Sequence, residues 1–211
     1  MIKQILIGIA LLLSASKAPA QQRLPFALQT GDLLFQDLDC GDMCNAIEEV
    51  TQGFDGKRFS HVGLVALSGD TVRVIEAMGP GVRIVSLDDF RKRNANKIYI
   101  GRVQQQYAAL PAEAIVFALK QVGAPYDDDF IYGNGKYYCS ELVYDAYKYA
   151  NKERPFFELQ PMTFKQPGKP DYYPVWVSYY KKLGRDIPEG EPGCNPGGLS
   201  RSPKIEIVGG F

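Results

Sequence analysis

The chain has 211 residues, with 24 Lys and Arg against 24 Asp and Glu, so its formal net charge is zero. That balance excludes the basic footprint of a nucleic-acid binder or of a protein held on an anionic membrane surface. A single histidine, His61, excludes His-rich metal sites and leaves one imidazole for any His-dependent catalysis.

The first segment, Met1 to Ala20, has the form of a secretory signal peptide. Lys3 supplies the positive start, Ile5 to Leu13 the apolar run, and Ala18-Pro19-Ala20 the small-residue cleavage pattern. A membrane span needs about 20 apolar residues, more than twice this run. No cysteine lies near the cleavage position, so no lipid-anchored end and no stable membrane anchor are expected. The reading is a secreted, periplasmic protein cleaved after Ala20, with residues 21–211 as one domain. Removing the leader takes away Lys3 and Lys17 and no acid, leaving 22 basic and 24 acidic side chains. Export places the cysteines where disulfides are allowed.

Beyond the leader, Gln29 to Phe35 reads as a turn into a short strand, and Cys40 to Gln52 as a helix on the spacing of Met43, Ala46, Ile47 and Val50. Phe59 to Leu67 is strand-like and Ser68-Gly69-Asp70 a tight turn. Thr71 to Ala77 alternates and is β-branched, which predicts a second strand. Val82 to Val85 is a third, Leu87 to Arg93 a helical turn, and Lys97 to Val103 another strand. Pro111 opens a helix that Gly123 ends, and a Gly-, Asp- and Tyr-rich loop follows over 124–136. Cys139 to Ala150 is again helical, and Lys204 to Val208 is a late strand. Helix and strand mix without βαβ alternation, which points to an α+β domain with a mainly antiparallel sheet.

The chemistry starts at Cys139, in the first turn of a helix after Gly133-Asn134-Gly135. Free N–H groups and the helix dipole favour a thiolate there and supply part of an oxyanion hole. Position alone fits a buried, inert cysteine as well. His61 lies in a strand beside Gly63, which leaves room above the sheet. Glu76 is a carboxylate in an otherwise mostly apolar strand, and such a group needs a partner. If Gly69-Asp70 is the two-residue turn, Glu76 is diagonal to His61 on one face. If the turn is Ser68-Gly69, the two are directly opposite. Only an odd loop length separates their faces. A carboxylate holding an imidazole that activates a thiol is the logic of a nucleophilic triad.

The segments Phe59-Ser60-His61-Val62-Gly63-Leu64-Val65, Val74-Ile75-Glu76-Ala77 and Tyr137-Tyr138-Cys139-Ser140-Glu141-Leu142 together resemble the permuted NlpC-type cysteine hydrolases of the YiiX/YebB-like group. The resemblance runs from Gly31-Asp32-Leu33-Leu34 through Gly123-Ala124-Pro125-Tyr126-Asp127, covering most of residues 31 to 150. It implies a papain-like fold with permuted strand order. It also implies Cys139 as nucleophile, His61 as general base and Glu76 as the orienting residue, with no metal or cofactor. Tyr138 is a substrate-binding or oxyanion candidate. Related enzymes cleave amide bonds in cell-wall peptides, and the permuted branch includes enzymes acting on acyl lipids.

Among the other cysteines, a Cys40–Cys44 bridge or a bridge from either to Cys194 is expected, and a zinc site is not. Asp127-Asp128-Asp129 reads as a solvated acidic loop in which Asp127 can brace the chain. Arg91-Lys92-Arg93 reads as a solvated basic face. The aromatic segment from Phe156 to Tyr180 reads as a satellite core, or as the wall of an apolar groove. Pro188 to Ser202 reads as a loop wrapping the surface. Three functions follow: a thiol hydrolase of cell-wall peptide, an acyl-lipid amidase, esterase or acyltransferase with the same residues, or a non-catalytic binding module. A wide apolar groove favours the second over the first, and failed triad geometry favours the third. A monomer is the default.

Overall fold

The computed structural model of the chain describes residues 27–93 and 95–211; the leader expected at 1–20 lies outside them. Strand β1 spans Leu33–Gln36, helix α1 Asp42–Glu49, β2 His61–Ser68 and β3 Thr71–Met78. Next come β4, Gly81–Ser86, α2, Leu87–Arg91, β5, Tyr99–Val103, α3, Leu110–Lys120, and α4, Cys139–Ala150. The last elements are β6, Gln160–Pro161, α5, Pro174–Leu183, β7, Pro192–Gly193, α6, Pro196–Ser200, and β8, Ile205–Gly210.

Six strands form one sheet in the order β4-β3-β2-β1-β5-β8, and every neighbouring pair is antiparallel. The β2–β3 hairpin turns on Gly69 and Asp70 with Ser68 opposite Thr71, the first of the two registers expected. Gly69 takes the positive φ, 56°, that the first position of such a turn demands. Side chains alternate across the sheet. Leu33, Phe35, Val62, Leu64, Ile75 and Ala77 bury one face together with α3 and α4. Leu34, Val65, Val74 and Ile100 bury the other around Phe90 of α2. Strand β8 joins the edge beside β5, so the end of the chain is part of the sheet.

Helix α5 starts inside the aromatic segment and runs past its end, where the sequence pattern predicts no helix. Its β-branched and aromatic residues rank as poor helix formers, but Pro174 starts it and Gly184, in the left-handed conformation, stops it. Trp176 and Tyr180 pack with Ala46 of α1 and with Phe164 in a separate core cluster, which is the expected satellite core. Helix α1 is shorter than the span read from the sequence. The disulfide is Cys40–Cys44, which leaves Cys139 and Cys194 as free thiols.

Gly31 ties β1 to the helices. Its N–H donates to Val65 O at 2.8 Å, and its carbonyl accepts from the Tyr147 hydroxyl of α4 at 2.8 Å. Its φ is +85°, and a Cβ there would stand 2.4 Å from Cβ of Pro111. Gly31→Ala is therefore expected to cost about 3 kcal/mol, read as a lower midpoint in urea unfolding with an unchanged slope.

Candidate active site

His61 opens β2 at one end of the sheet, with Gln36 as its cross-strand neighbour on β1. Glu76 sits near the end of β3, and the hairpin register sets it diagonal to His61 on the same face. The imidazole Nε2 and Glu76 Oε2 are 2.8 Å apart, with His61 and Glu76 only 2% and 1% exposed. The sheet thus provides the carboxylate partner that the sequence pattern demanded.

Among the described residues, Glu76 has two further partners. Arg83 of β4, directly opposite Glu76 in the register, donates its Nε–H to Oε1 at 2.9 Å. Arg93, just past α2, reaches both carboxylate oxygens with its two terminal nitrogens. The Arg93 side chain is 17% exposed, so the solvated basic face expected for Arg91-Lys92-Arg93 is corrected at this residue. A buried carboxylate with only one imidazole partner is under-compensated, and the fold brings it two cations. Burial raises the Glu76 carboxyl, but the bonds from His61 and Arg93 outweigh it and hold the pKa down at about 2.

The space beside Gly63 is not open. A Cβ on Gly63 would lie 2.6 Å from Cγ1 of Val74 and 3.0 Å from Cε2 of Phe90. The Phe90 ring stands 5.8 Å from the His61 ring, and the Arg93 guanidinium lies 5.0 Å from the centre of that Phe90 ring. Glycine is needed here so that Phe90 can close against the imidazole.

Cys139 begins α4. The residue before it, Tyr138, is extended, and the first-turn N–H groups of α4 carry no side-chain cap from it. Burial lowers the His61 pKa, but hydrogen bonds to Cys139 and Glu76 prevail and push it up to about 9. With Nε2 on Glu76, the remaining ring nitrogen, Nδ1, is the one that serves the thiol. The three residues named from the sequence are therefore brought together: Glu76 on His61 by a hydrogen bond, and Cys139 near enough to raise the imidazole pKa.

Tyr138 lines the cavity beside Cys139, and its hydroxyl accepts the N–H of Cys194 at 3.3 Å. Ser140 Oγ donates to the carbonyl of Cys194 at 2.9 Å. The tail is thus pinned across the head of α4, a placement no sequence signal announced. Burial holds the Cys194 thiol far above its ordinary range, which marks it as the less reactive of the two free thiols. Iodoacetamide labelling followed by peptide mass mapping is expected to modify Cys139 before Cys194.

Loop 124–136 is built around Asp127, which is buried, not solvated: its carboxylate accepts the N–H groups of Asp129 and Ile131 and the side-chain amide of Asn134. Glu141 latches the same loop to α4 by accepting Gly133 N–H at 2.9 Å, and burial pushes its carboxyl up to about 8. Beside Cys139 opens a cavity of about 730 Å³. Its walls carry Ile47, Tyr126, Phe130, Phe157, Phe164 and Trp176, with Ser60, Thr51 and Asn195 among the polar groups. The aromatic segment is therefore both satellite core and cavity wall.

A cysteine heading a helix packed on an antiparallel sheet, with histidine and carboxylate supplied by the sheet, is the arrangement of papain-like thiol hydrolases. Here the histidine precedes the cysteine in sequence, as in a permuted chain. The family model of permuted papain-like amidases, the YaeF/YiiX or C92 family, matches residues 27–209, and the chain belongs to that family. The chain is 27% identical over 188 residues to the uncharacterized protein YiiX of Escherichia coli strain K12, covering 85% of each. It is also similar to a crystal structure described as metalloprotein YiiX of Escherichia coli O157:H7. The TM-score is 0.69 at 25% identity, over 87% of this chain and 97% of that one.

Proposed function

We propose that the protein is an exported cysteine amidase in which Cys139 attacks the amide carbonyl, His61 moves the proton and Glu76 holds the imidazole. The observation that carries this reading is the buried His61–Glu76 pair, whose imidazole pKa is raised by Cys139 as well as by Glu76, with Cys139 itself in the wall of a large cavity. The Cys139 proton passes to His61 Nδ1, and the sulfur adds to the carbonyl carbon. The oxyanion meets the uncapped N–H groups at the head of α4. The C–N bond breaks as His61 returns the proton to the leaving amine. Water, losing a proton to His61, then splits the thioester to the free acid and regenerates the thiol.

A cell-wall peptide is the substrate suggested by export and by the resemblance. A second reading, an acyl-lipid amide or ester, is favoured by the apolar and aromatic wall beside Cys139. The aryl and alkyl groups of that wall have most to gain from an acyl chain, at about 25 cal/mol per Å² of apolar area removed from water. Two amides with the same leaving amine separate the readings, one carrying a dodecanoyl group and one a short cell-wall-type peptide. Faster turnover of the dodecanoyl amide supports the lipid reading, and faster turnover of the peptide supports the other.

One relative is described as a metalloprotein, so a resident metal needs a fit here. Among the described residues no group of three or more His, Cys, Asp or Glu is arranged to hold an ion. Both Glu76 oxygens and His61 Nε2 are already engaged with protein partners. The described residues of this site do not fit a metal.

The triad itself is tested by the rate of Cys139 alkylation with iodoacetamide in the wild type and in His61→Ala. Labelling that slows strongly in the variant supports the pairing. An unchanged rate sinks the enzyme reading and leaves the binding module. The pH profile adds a sign. The His61 pKa is raised to about 9, so the imidazolium formed when it takes the Cys139 proton persists up to about that pH, and the general acid for the leaving amine is lost above it. Amide turnover is expected to fall tenfold per pH unit beyond about pH 9.

A further inference from the structure

We infer that Arg93 is a positioning residue of this site: it keeps the buried Glu76 carboxylate ionised and aimed at His61 Nε2, without touching substrate. The inference rests on the reading of His61 as the base. Four observations converge on it. Arg93 reaches both oxygens of Glu76 from its two terminal nitrogens, the planar fork that only arginine offers a carboxylate. Its guanidinium lies 5.0 Å over the Phe90 ring, and that ring stands against His61. Phe90 is in turn held through its backbone, because Gln36 Nε2 donates to its carbonyl at 2.9 Å. Arg83, the other cation on Glu76, makes one bond and is 38% exposed, so Arg93 is the more buried and better-fixed of the two.

The physical need is specific. Glu76 lies in the sheet with essentially no access to water, and burial favours its neutral form. A neutral carboxyl carries its own proton and no longer fixes which imidazole nitrogen is protonated. Among the described residues, the groups that reach Glu76 are His61 from β2, Arg83 from β4 and Arg93 from the segment after α2, and Cys139 of α4 faces His61 as a cause of its raised pKa. Of these, His61 changes charge during turnover, so it cannot be the group that keeps Glu76 ionised throughout. The arginines supply a charge that no step of the reaction alters.

The test is the pH dependence of Cys139 alkylation by iodoacetamide in wild type, Arg93→Gln, Arg93→Lys and Arg83→Gln, each with its thermal midpoint. Without Arg93, protonation of Glu76 is expected to enter the accessible range and move the acid limb upward by a unit or more. At pH 5 the rate, normalised to pH 8, then falls about tenfold in Arg93→Gln. Arg93→Lys restores most of it because the charge is kept, and Arg83→Gln shifts the limb less. A lowered thermal midpoint with a wild-type acid limb overturns the inference, since a merely structural contact has that signature. If Arg93→Gln does not fold, Arg93→Met, which keeps an apolar stem beside Phe90 but no charge, is read on the same limb: an upward shift supports the role of Arg93, and a wild-type limb overturns it. His61→Ala separates the two layers of the proposal. If it alkylates like wild type, the proposed triad fails, whereas an unmoved limb in Arg93→Gln removes only the role of Arg93.

Discussion

Replacing Cys139 by serine is expected to lower amide hydrolysis on the order of 10⁴-fold or more while leaving the fold intact. The substitution is nearly isosteric, and Cys139 sits at the head of α4 where its backbone, not its side chain, starts the helix. What is lost is the nucleophile. A serine hydroxyl ionises far less readily than a thiol, and this site pairs its imidazole with a buried carboxylate suited to a thiolate–imidazolium couple. His61→Ala is expected to fall nearly as far. Because the two residues act as a unit, the double variant should be no slower than the worse single one. The measurement is kcat/KM on the dodecanoyl amide for all three variants, alongside the thermal midpoint. A Cys139→Ser enzyme within tenfold of wild type would mean that the chemistry lies elsewhere in the cavity.

Glu76→Ala should show the largest loss of stability, about 3–5 kcal/mol at pH 5.5, because it strips His61 and Arg93 of a buried partner. Arg83, 38% exposed, can turn to water and contributes the smaller share. The pH dependence has a definite sign. Glu76 is depressed from 4.5 to about 2, so its contribution is present above pH 4.5 and is lost as pH falls through 2. His61 is raised from 6.5 to about 9, so its contribution is full below pH 6.5 and is lost as pH rises through 9. The deficit of Glu76→Ala is therefore greatest between pH 4.5 and 6.5 and shrinks by pH 9.5. Urea unfolding at pH 5.5 and 9.5 reads it. A deficit below about 1 kcal/mol, or one equal at both values, contradicts a charged relay. Glu76→Gln should lose less stability, since one acceptor oxygen remains for His61, yet it loses the charge that Arg93 needs.

Much of the site was legible in the sequence because it rests on local rules. Side chains alternate in β2 and β3, so a two-residue turn at Gly69-Asp70 was enough to put His61 and Glu76 on one face. Cys139 announced itself by the periodic apolar run that follows it, which sets the start of α4. Arg93 was hidden for the opposite reason. It follows α2 in a basic run, and nothing local separates an arginine that faces water from one that folds back onto a carboxylate in β3. Helix α5 was not legible because burial against α1 and Phe164 overrides the low helix propensity of its aromatic and β-branched residues.

The sequence by itself determined the strands and helices that carry chemistry and the α+β class, and it put His61 and Glu76 on one face for either two-residue turn, because short-range periodicity and turn geometry specify these. Only the tertiary structure decided that two arginines converge on Glu76, that Phe90 fills the space over Gly63, and that the tail is pinned at Cys194 across the head of α4. It also decided that residues from α1, loop 124–136, α5 and the tail meet in one cavity beside Cys139. Such meetings join positions far apart along the chain. They depend on how whole faces pack, a long-range outcome that no local pattern of residues encodes.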